Sequence, residues 1–410
     1  MPGKWWWEEG TDMLKYLEAV AKIRGLAKPF PVETVPLVSA TNRVLAQPVF
    51  ADRDYPPFNR SAMDGIAIRT ADWQQGIREF RILETIFAGA EATSQLVEGA
   101  CYRIMTGAPC PPTADAVIRI EDVSFLDDQH VQVQSGQVLP QQHIAQQGED
   151  LAKGDLALSA PHRCDPSVIA TLAALGVHHV PVYANPSVAI VTTGNEVVDV
   201  GQQPDGFQIR NSNQYLLRSL CEQWRLPVSF CQHARDERSS LSKMLGAALQ
   251  HHVVIVNGGV SAGDADYVPQ VLEELGVDVL FHKVLIKPGK PVLVGTAPTG
   301  SIVFALPGNP LSCLVTFKLF VEEYLWSGFG LGQARLRKAK LLNARSKKTS
   351  LDEFFPVFRE TQADGYTWRP HHGSGDITAA IGCHGIGWHP QNKRDINANE
   401  VISILPLSYF

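Results

Sequence analysis

A glycine-rich run, Gly258-Gly259-Val260-Ser261-Ala262-Gly263-Asp264-Ala265-Asp266, separates an apolar stretch (Val253 to Val256) from a segment where Val268, Val271, Leu272 and Leu275 recur at helical spacing. Pro269 near the start of that segment and Gly276 at its end frame a helix, so the run is expected to be a strand-to-helix loop. Glycines let backbone N–H groups close on an anion, a serine adds a hydrogen bond, and aspartates hold a hard cation. The combination points to phosphate and metal chemistry at one loop. Three further polar loops follow strand-like stretches: Thr192-Thr193-Gly194-Asn195-Glu196, Arg235-Asp236, and Leu306-Pro307-Gly308-Asn309-Pro310, the last opening a helix with Ser312 in its first turn. Loops after the strands of one parallel sheet meet at one edge, so these groups are expected to share a cleft. Lys283, Lys287 and Lys290 would make part of it cationic, and Glu196, Asp236, Asp264 and Asp266 another part anionic. Magnesium usually takes one or two carboxylates, substrate phosphates and water, which suits such a pocket. Helix capping competes for Asp266, but the carboxylates as a set read as functional.

Other motifs compete. Gly259-Val260-Ser261-Ala262-Gly263 fits the Gly-x-Ser-x-Gly nucleophile elbow, with His371 or His372 further along, so a serine hydrolase is the alternative. Two aspartates just after the serine would oppose the charge that an acyl-transfer site must stabilise, and no His-Gly-Gly-Gly segment supplies an oxyanion hole. Neither a P-loop nor a well-placed Gly-x-Gly-x-x-Gly is present. The pairs His251-His252 and His371-His372 lack metal-ligand spacing.

The elements that must position these groups fall into four textures. A chain of 410 residues is too long for one ordinary core. Leu14, Leu17, Ala21 and Leu26 suggest an N-terminal amphipathic helix, and with its return stretch it is expected to form a discontinuous domain over 1–49 and 146–182. Short strand-like runs separated by turns mark an inserted β module at 50–145. From 183 to 333 strands and helices alternate, as in a doubly wound, mainly parallel sheet covered by helices on both faces. One of those helices runs from Gln214 to Trp224 with Asn213 as its N-cap, and another from Leu311 to Trp326. Residues 334–410 read as β again, with Ala363-Asp364-Gly365 a hairpin turn.

The composition, 45% hydrophobic and 19% charged, is globular and offers no membrane span. A net charge of −6 argues against a general nucleic-acid face. Seven dispersed cysteines without a Cys-x-x-Cys pair, and no export signal, suggest a reducing, cytoplasmic setting. Trp5-Trp6-Trp7 has no chemical role in this reading; packing against a partner subunit and a disordered, sticky N-terminus both stay open.

The residues resemble a known family, the MoeA-type molybdopterin molybdenumtransferases, the molybdenum insertases that include the gephyrin E domain. The resemblance is carried by Ser61-Ala62-Met63-Asp64-Gly65, Arg103 to Pro109, Gly148-Glu149-Asp150, Thr193-Gly194-Asn195-Glu196, Asn211-Ser212-Asn213, Gly258 to Asp266, Ile286 to Pro291 and Leu306 to Pro310. It implies a multidomain α+β and α/β fold with a C-terminal β-barrel-like domain, and a central α/β domain similar to molybdopterin adenylyltransferases. It also implies a homodimer whose cleft joins the α/β domain of one subunit to the β module of the other. The implied reaction joins molybdate to adenylated molybdopterin with magnesium present and releases AMP. By motif position the family's functional acids fall on Asp64, Asp150, Glu196, Asp236 and Asp266, and its lysines on Lys283 and Lys287. Glu196, Asp264 and Asp266 are the implied metal ligands. Thr193, Gly194, Ser212, Asn213, Gly258, Gly259, Ser261, Gly263, Lys290, Pro307, Gly308, Asn309, Pro310, Ser312 and Ser374 are the implied substrate contacts. A molybdopterin adenylyltransferase-type protein and molybdoenzyme maturation factors are the implied partners. Asn195 stands where the family commonly has aspartate, and Cys383-His384 where it more often has Ala-Asn. These departures leave room for a divergent paralogue with altered rate or substrate, and a non-catalytic dimeric scaffold of the same family is a third reading.

Overall fold

The computed structural model describes residues 13–134, 136–260, 266–332 and 335–408. The chain divides into two compact units, one formed by Met1–Ala46, Arg163–Asp165 and Val180–Phe410, the other by Gln47–His162 and Pro166–His179.

The larger unit is built on a six-stranded sheet. Its first helix is α1 (Tyr16–Leu26). Then follow β1 (Val188–Thr193), α2 (Ser212–Gln223), β2 (Val228–Ala234), α3 (Arg238–Ala248), β3 (Val253–Asn257) and α4 (Val268–Glu274). The set is completed by β4 (Asp278–His282), β5 (Leu293–Thr296), β6 (Ile302–Leu306) and α5 (Pro310–Thr316). The strand order is β2-β1-β3-β6-β5-β4. β2, β1, β3 and β6 pair in parallel, and β5 runs antiparallel to both its neighbours, so β4 regains the direction of β6. Five carboxyl ends therefore lie along one edge. Alternation along the strands sends Val188, Ile190, Val253, Ile255 and Phe304 to one face, under Ile23 of α1 and Leu217 and Leu220 of α2. Ala189, Val191, Val254, Val256 and Val303 go to the other, under Leu241 and Leu245 of α3 and Val271 and Leu272 of α4.

Three local expectations are corrected. In α1 the inward stripe is Tyr16, Ala19, Val20 and Ile23, while Leu17 is 58% exposed and Ala21 also faces solvent. The large aromatic at position 16 sets the helix phase by packing edge-on against Phe320, Phe354 and Trp388. The cap of α2 is Asn211, whose side chain accepts from Gln214 N at 3.1 Å; Asn213 lies inside the first turn. The long helix expected from Leu311 to Trp326 is interrupted by a π-helical turn, Phe317–Val321. There the fully buried Lys318 meets Glu322 at 2.7 Å, and Arg335 bridges Glu322 and Glu323. An extra residue in the turn keeps this ionic cluster inward without breaking the helix.

The C-terminal segment closes into a five-stranded barrel of Arg337–Leu341, Asp352–Arg359, Tyr366–Trp368, Gly385–His389 and Glu400–Pro406. The short strand Ile286–Lys287, between β4 and β5 in sequence, leaves the α/β sheet and pairs in parallel with Asp352 and Glu353 of that barrel. Arg359 faces Tyr366 across the Ala363-Asp364-Gly365 turn.

The smaller unit carries its own six-stranded sheet, which begins with Ala116–Arg119, Gly65–Ile68 and Ala100–Ile104. Gly65 is forced at its position, because a Cβ there would lie 1.8 Å from the Ile118 carbonyl oxygen.

Candidate functional site

The carboxyl edge of the α/β sheet draws together three of the loops singled out by the sequence. Backbones close in at Gly258, where a Cβ would stand 2.8 Å from Thr193 Oγ1 and 2.9 Å from the Thr193 carbonyl; Gly308 in turn approaches Gly258. Gly258 has φ 96° and Gly259 φ 63°, so both conditions for glycine hold at this corner. Asn213 Nδ2 donates to Asn257 Oδ1 at 2.9 Å and to the Gly308 carbonyl at 2.5 Å, and Asn257 Nδ2 donates to the Pro307 carbonyl at 2.8 Å. Asn213 Oδ1 is left buried with no hydrogen-bond partner. Thr193, Asn213, Gly258, Gly259, Pro307 and Gly308 thus meet, and Asn257, which the motif reading passed over, ties them. Its signal was a polar residue closing the apolar run Val253–Val256.

Gly194, Asn195 and Glu196 continue from β1, with Asn195 and Glu196 exposed. Asn195 N donates to Asp236 Oδ2, and Asp236 N donates to Asn195 Oδ1, each at 3.2 Å. Burial pushes the Asp236 carboxyl above its ordinary value, and the Glu196 charge adds to the rise against the Asn195 N–H. His233 of β2, a second residue that the motifs missed, bonds Thr192 and the Gly194 carbonyl.

Lys283 follows the carboxyl end of β4 with φ 71°, its N–H bonded to the Val292 carbonyl. Beside it His282 Nε2 donates to the Val260 carbonyl at 3.1 Å, which joins the edge of β4 to the glycine run. Burial holds the His282 pKa below its ordinary value. Lys287 and Lys290 are exposed, and Lys287 Nζ lies 3.9 Å from Glu353 Oε1 of the barrel. Glu353 itself is engaged by Arg345 at 2.6 Å and Thr349 at 2.7 Å. Burial works to raise its pKa, yet these partners hold it below the ordinary value. Asn309 Nδ2 donates to Ser374 Oγ at 2.9 Å, so the barrel's Gly373-Ser374-Gly375 turn touches the loop after β6. Pro310 opens α5, Ser312 is buried within it, and Ser212 is exposed at the start of α2.

Asp266 is half-buried two residues ahead of α4, at the same edge. Ser261, Gly263 and Asp264 lie outside the described residues, as does Trp5-Trp6-Trp7. Among the described residues no three His, Cys, Asp or Glu side chains gather as a metal cage. Glu196 and Asp266 are hard oxygen donors at one edge, a sparse set of the kind magnesium accepts when phosphates and water complete its shell.

Asp64 and Asp150 belong to the smaller unit. Asp64 accepts from Thr106 N and Thr106 Oγ1, each at 2.7 Å, and those bonds hold its carboxyl below the ordinary value. Asp150 is exposed, its N–H bonded to the Tyr55 carbonyl. The seven cysteines are free thiols. No helix among the described residues is long and apolar enough to cross a membrane.

The family described as "MoeA N-terminal region (domain I and II)" matches residues 14–176, and the "Probable molybdopterin binding domain" matches residues 189–326. A molybdopterin molybdenumtransferase of Staphylococcus aureus is 32% identical over 406 residues, covering 97% of this chain and 96% of its own length. That of Synechocystis is 31% identical, covering 95% of this chain and 98% of its own length. The crystal structure of the molybdopterin biosynthesis moeA protein from Pyrococcus horikoshii superposes with TM-score 0.79 at 28% identity, covering 96% of this chain and 99% of that one.

Proposed function

The chain belongs to the molybdopterin molybdenumtransferases, and we propose that it joins molybdate to adenylated molybdopterin, forming molybdenum cofactor and releasing AMP. The observation that carries the reading is the meeting of Thr193, Gly258 and Gly308 at one sheet edge, with Lys283 leaving the same edge from β4. Molybdate is a dianion, and the dithiolene sulfurs must approach it while oxo groups leave as water. Bringing anions together calls for cations and N–H donors already in place. In this reading Lys283 and Lys287 neutralise the oxyanion, and Lys290 adds to the field. The glycine loops lay N–H groups against the pyrophosphate of the adenylated pterin. Asp236 and Glu196, close enough to raise one proton affinity, accept or return protons as oxo groups become water. Asp64 and Asp150 act on the pterin.

Glu196 and Asp266, with Asp264, would hold magnesium. Such an ion neutralises charge at the phosphoanhydride. The sparse donor set favours an ion that arrives with the substrate. A homodimer and a cytoplasmic setting are parts of the same proposal, as is transfer from an adenylyltransferase-type partner and onward to maturation factors.

The test is paired. Purified protein supplied with adenylated molybdopterin, molybdate and magnesium should release AMP, and the gene should restore molybdoenzyme activity in a cell lacking its insertase. Failure of both with folded protein would leave a scaffold as the reading. Labelling of Ser261 by a fluorophosphonate would instead favour the hydrolase.

A further inference from the structure

After the buried Thr193 that ends β1, the chain turns through a buried Gly194 at φ 137° to the exposed Asn195 and Glu196. Hydrogen bonds order this turn, and one chain of them runs through His233. His233 Nε2 lies 3.1 Å from the Gly194 carbonyl, which can only accept, so Nε2 carries the proton. In the neutral ring Nδ1 is then an acceptor, 3.0 Å from Thr192 Oγ1. Thr192 Oγ1 receives Asn211 Nδ2 at 2.8 Å and gives its own proton to the ring. Asn211 in turn caps α2 by accepting from Gln214 N. A directional relay therefore runs Asn211 to Thr192 to His233 to Gly194, from a buried helix cap to an exposed loop. Beyond the relay the loop is also held by the Asn195–Asp236 pair, whose two bonds of 3.2 Å are long, by Val197 N on the Gly194 carbonyl at 3.2 Å and by Ile209 N on the Glu196 carbonyl at 2.8 Å.

We propose that His233 is a positioning residue of the substrate site: it fixes the Gly194 peptide and thereby the direction in which Thr193 and Glu196 are offered to adenylated molybdopterin. This rests on the insertase reading above. A leucine has the bulk of the imidazole and none of its bonds, whereas a glutamine amide can donate to the Gly194 carbonyl from nearly the same place as Nε2. The inference thus makes an asymmetric demand on two substitutions of similar size.

The experiment uses the full-length chain and two readouts. In His233→Leu, the Asn195 and Val197 amides, bonded to Asp236 and to the Gly194 carbonyl, should exchange hydrogen about tenfold faster, and the KM for adenylated molybdopterin should rise about tenfold, the worth of one neutral hydrogen bond. The molybdate dependence, kcat and the melting temperature should change little. His233→Gln should restore KM and amide protection to within about threefold of the unsubstituted chain. Thr192→Val cuts the relay one link earlier with conserved shape and serves if His233→Leu does not fold; it should move KM in the same direction. Unchanged exchange in the leucine variant would overturn the proposal, as would a glutamine variant no better than leucine. If the unsubstituted chain releases no AMP, the exchange readout still decides the positioning role while the insertase reading fails separately.

Discussion

Asn213 and Asn257 share a buried hydrogen bond of 2.9 Å, and each amide also donates to a carbonyl of the Pro307-Gly308 turn. Those carbonyls dictate which end of each side chain is nitrogen, so the pair can be arranged in only one way. Asn257→Leu would strip the Pro307 carbonyl of its asparagine donor and the Asn213 amide of one of its two acceptors, and a loss of about 2 kcal/mol is expected for groups so buried. Asn257→Asp keeps the acceptor toward Asn213 but turns a second oxygen on the Pro307 carbonyl. Denaturant unfolding should find it unstable at neutral pH and recovering in mild acid, where a protonated carboxyl can donate. Equal stability of the leucine variant and the unsubstituted chain would remove the asparagine ladder from the account of how the loops meet.

Lys287 reaches the candidate site from an unexpected direction, since its strand pairs with the barrel and its charge lies near Glu353. If it neutralises molybdate, Lys287→Ala should raise the half-saturating molybdate concentration by about tenfold or more and leave the KM for adenylated molybdopterin nearly unchanged. Glu353→Gln should shift molybdate affinity less, because the lysine is 61% exposed and solvent screens the pair. Titration of AMP release against molybdate measures both. An unmoved half-saturation in the alanine variant would assign Lys287 to the surface.

The convergence at the sheet edge was legible in the sequence because it follows from local signals: apolar runs, glycines at their ends, helical spacing afterwards. What was not legible depends on distant partners. Nothing near Leu17 announces that Tyr16 will take the inward position; that follows from Phe320, Phe354 and Trp388, hundreds of residues away. Glu353 reads as one charge in a β segment until Ile286–Lys287 pairs beside it. His233 follows an ordinary strand pattern, and only the parallel register of β1 and β2, which puts Thr192 opposite it, gives the ring its neighbours. The π-helical turn is silent in periodicity, because one added residue only shifts the phase of a helix that is apolar on most sides, with Lys318 and Glu322 buried among those residues.

Two aspartates should respond to pH with opposite sign. Asp64 has a lowered folded pKa, so its bonds to Thr106 stabilise the fold above the ordinary value of 3.8, and that contribution is lost as pH falls through the lowered value. Asp64→Asn should therefore be less stable than the unsubstituted chain at neutral pH, with the gap closing in acid. Asp236 has a raised folded pKa, so the fold holds its proton tightly and loses stability as pH rises from 3.8 through the raised value. Asp236→Asn should gain stability at neutral pH and none below 3.8. Unfolding midpoints of the three proteins across an acid series measure both, and parallel curves would refute the assigned directions.

Asp266 lies two residues ahead of α4, where a carboxylate could serve the helix or the reaction. The two roles separate under one substitution. Asparagine caps a helix as well as aspartate does, so Asp266→Asn should leave any capping contribution in place. It removes the charge, and charge is what a ligand to magnesium or a partner to a leaving phosphate must supply. AMP release from adenylated molybdopterin should then fall by about 100-fold or more at an unchanged melting temperature, the scale seen when one electrostatic contact to a transition state is deleted. Excess magnesium should recover part of that loss if the carboxylate acts through the ion, and none if it touches the substrate directly. Full AMP release by the asparagine variant would place Asp266 with the helix and leave Glu196 as the carboxylate to examine at this edge.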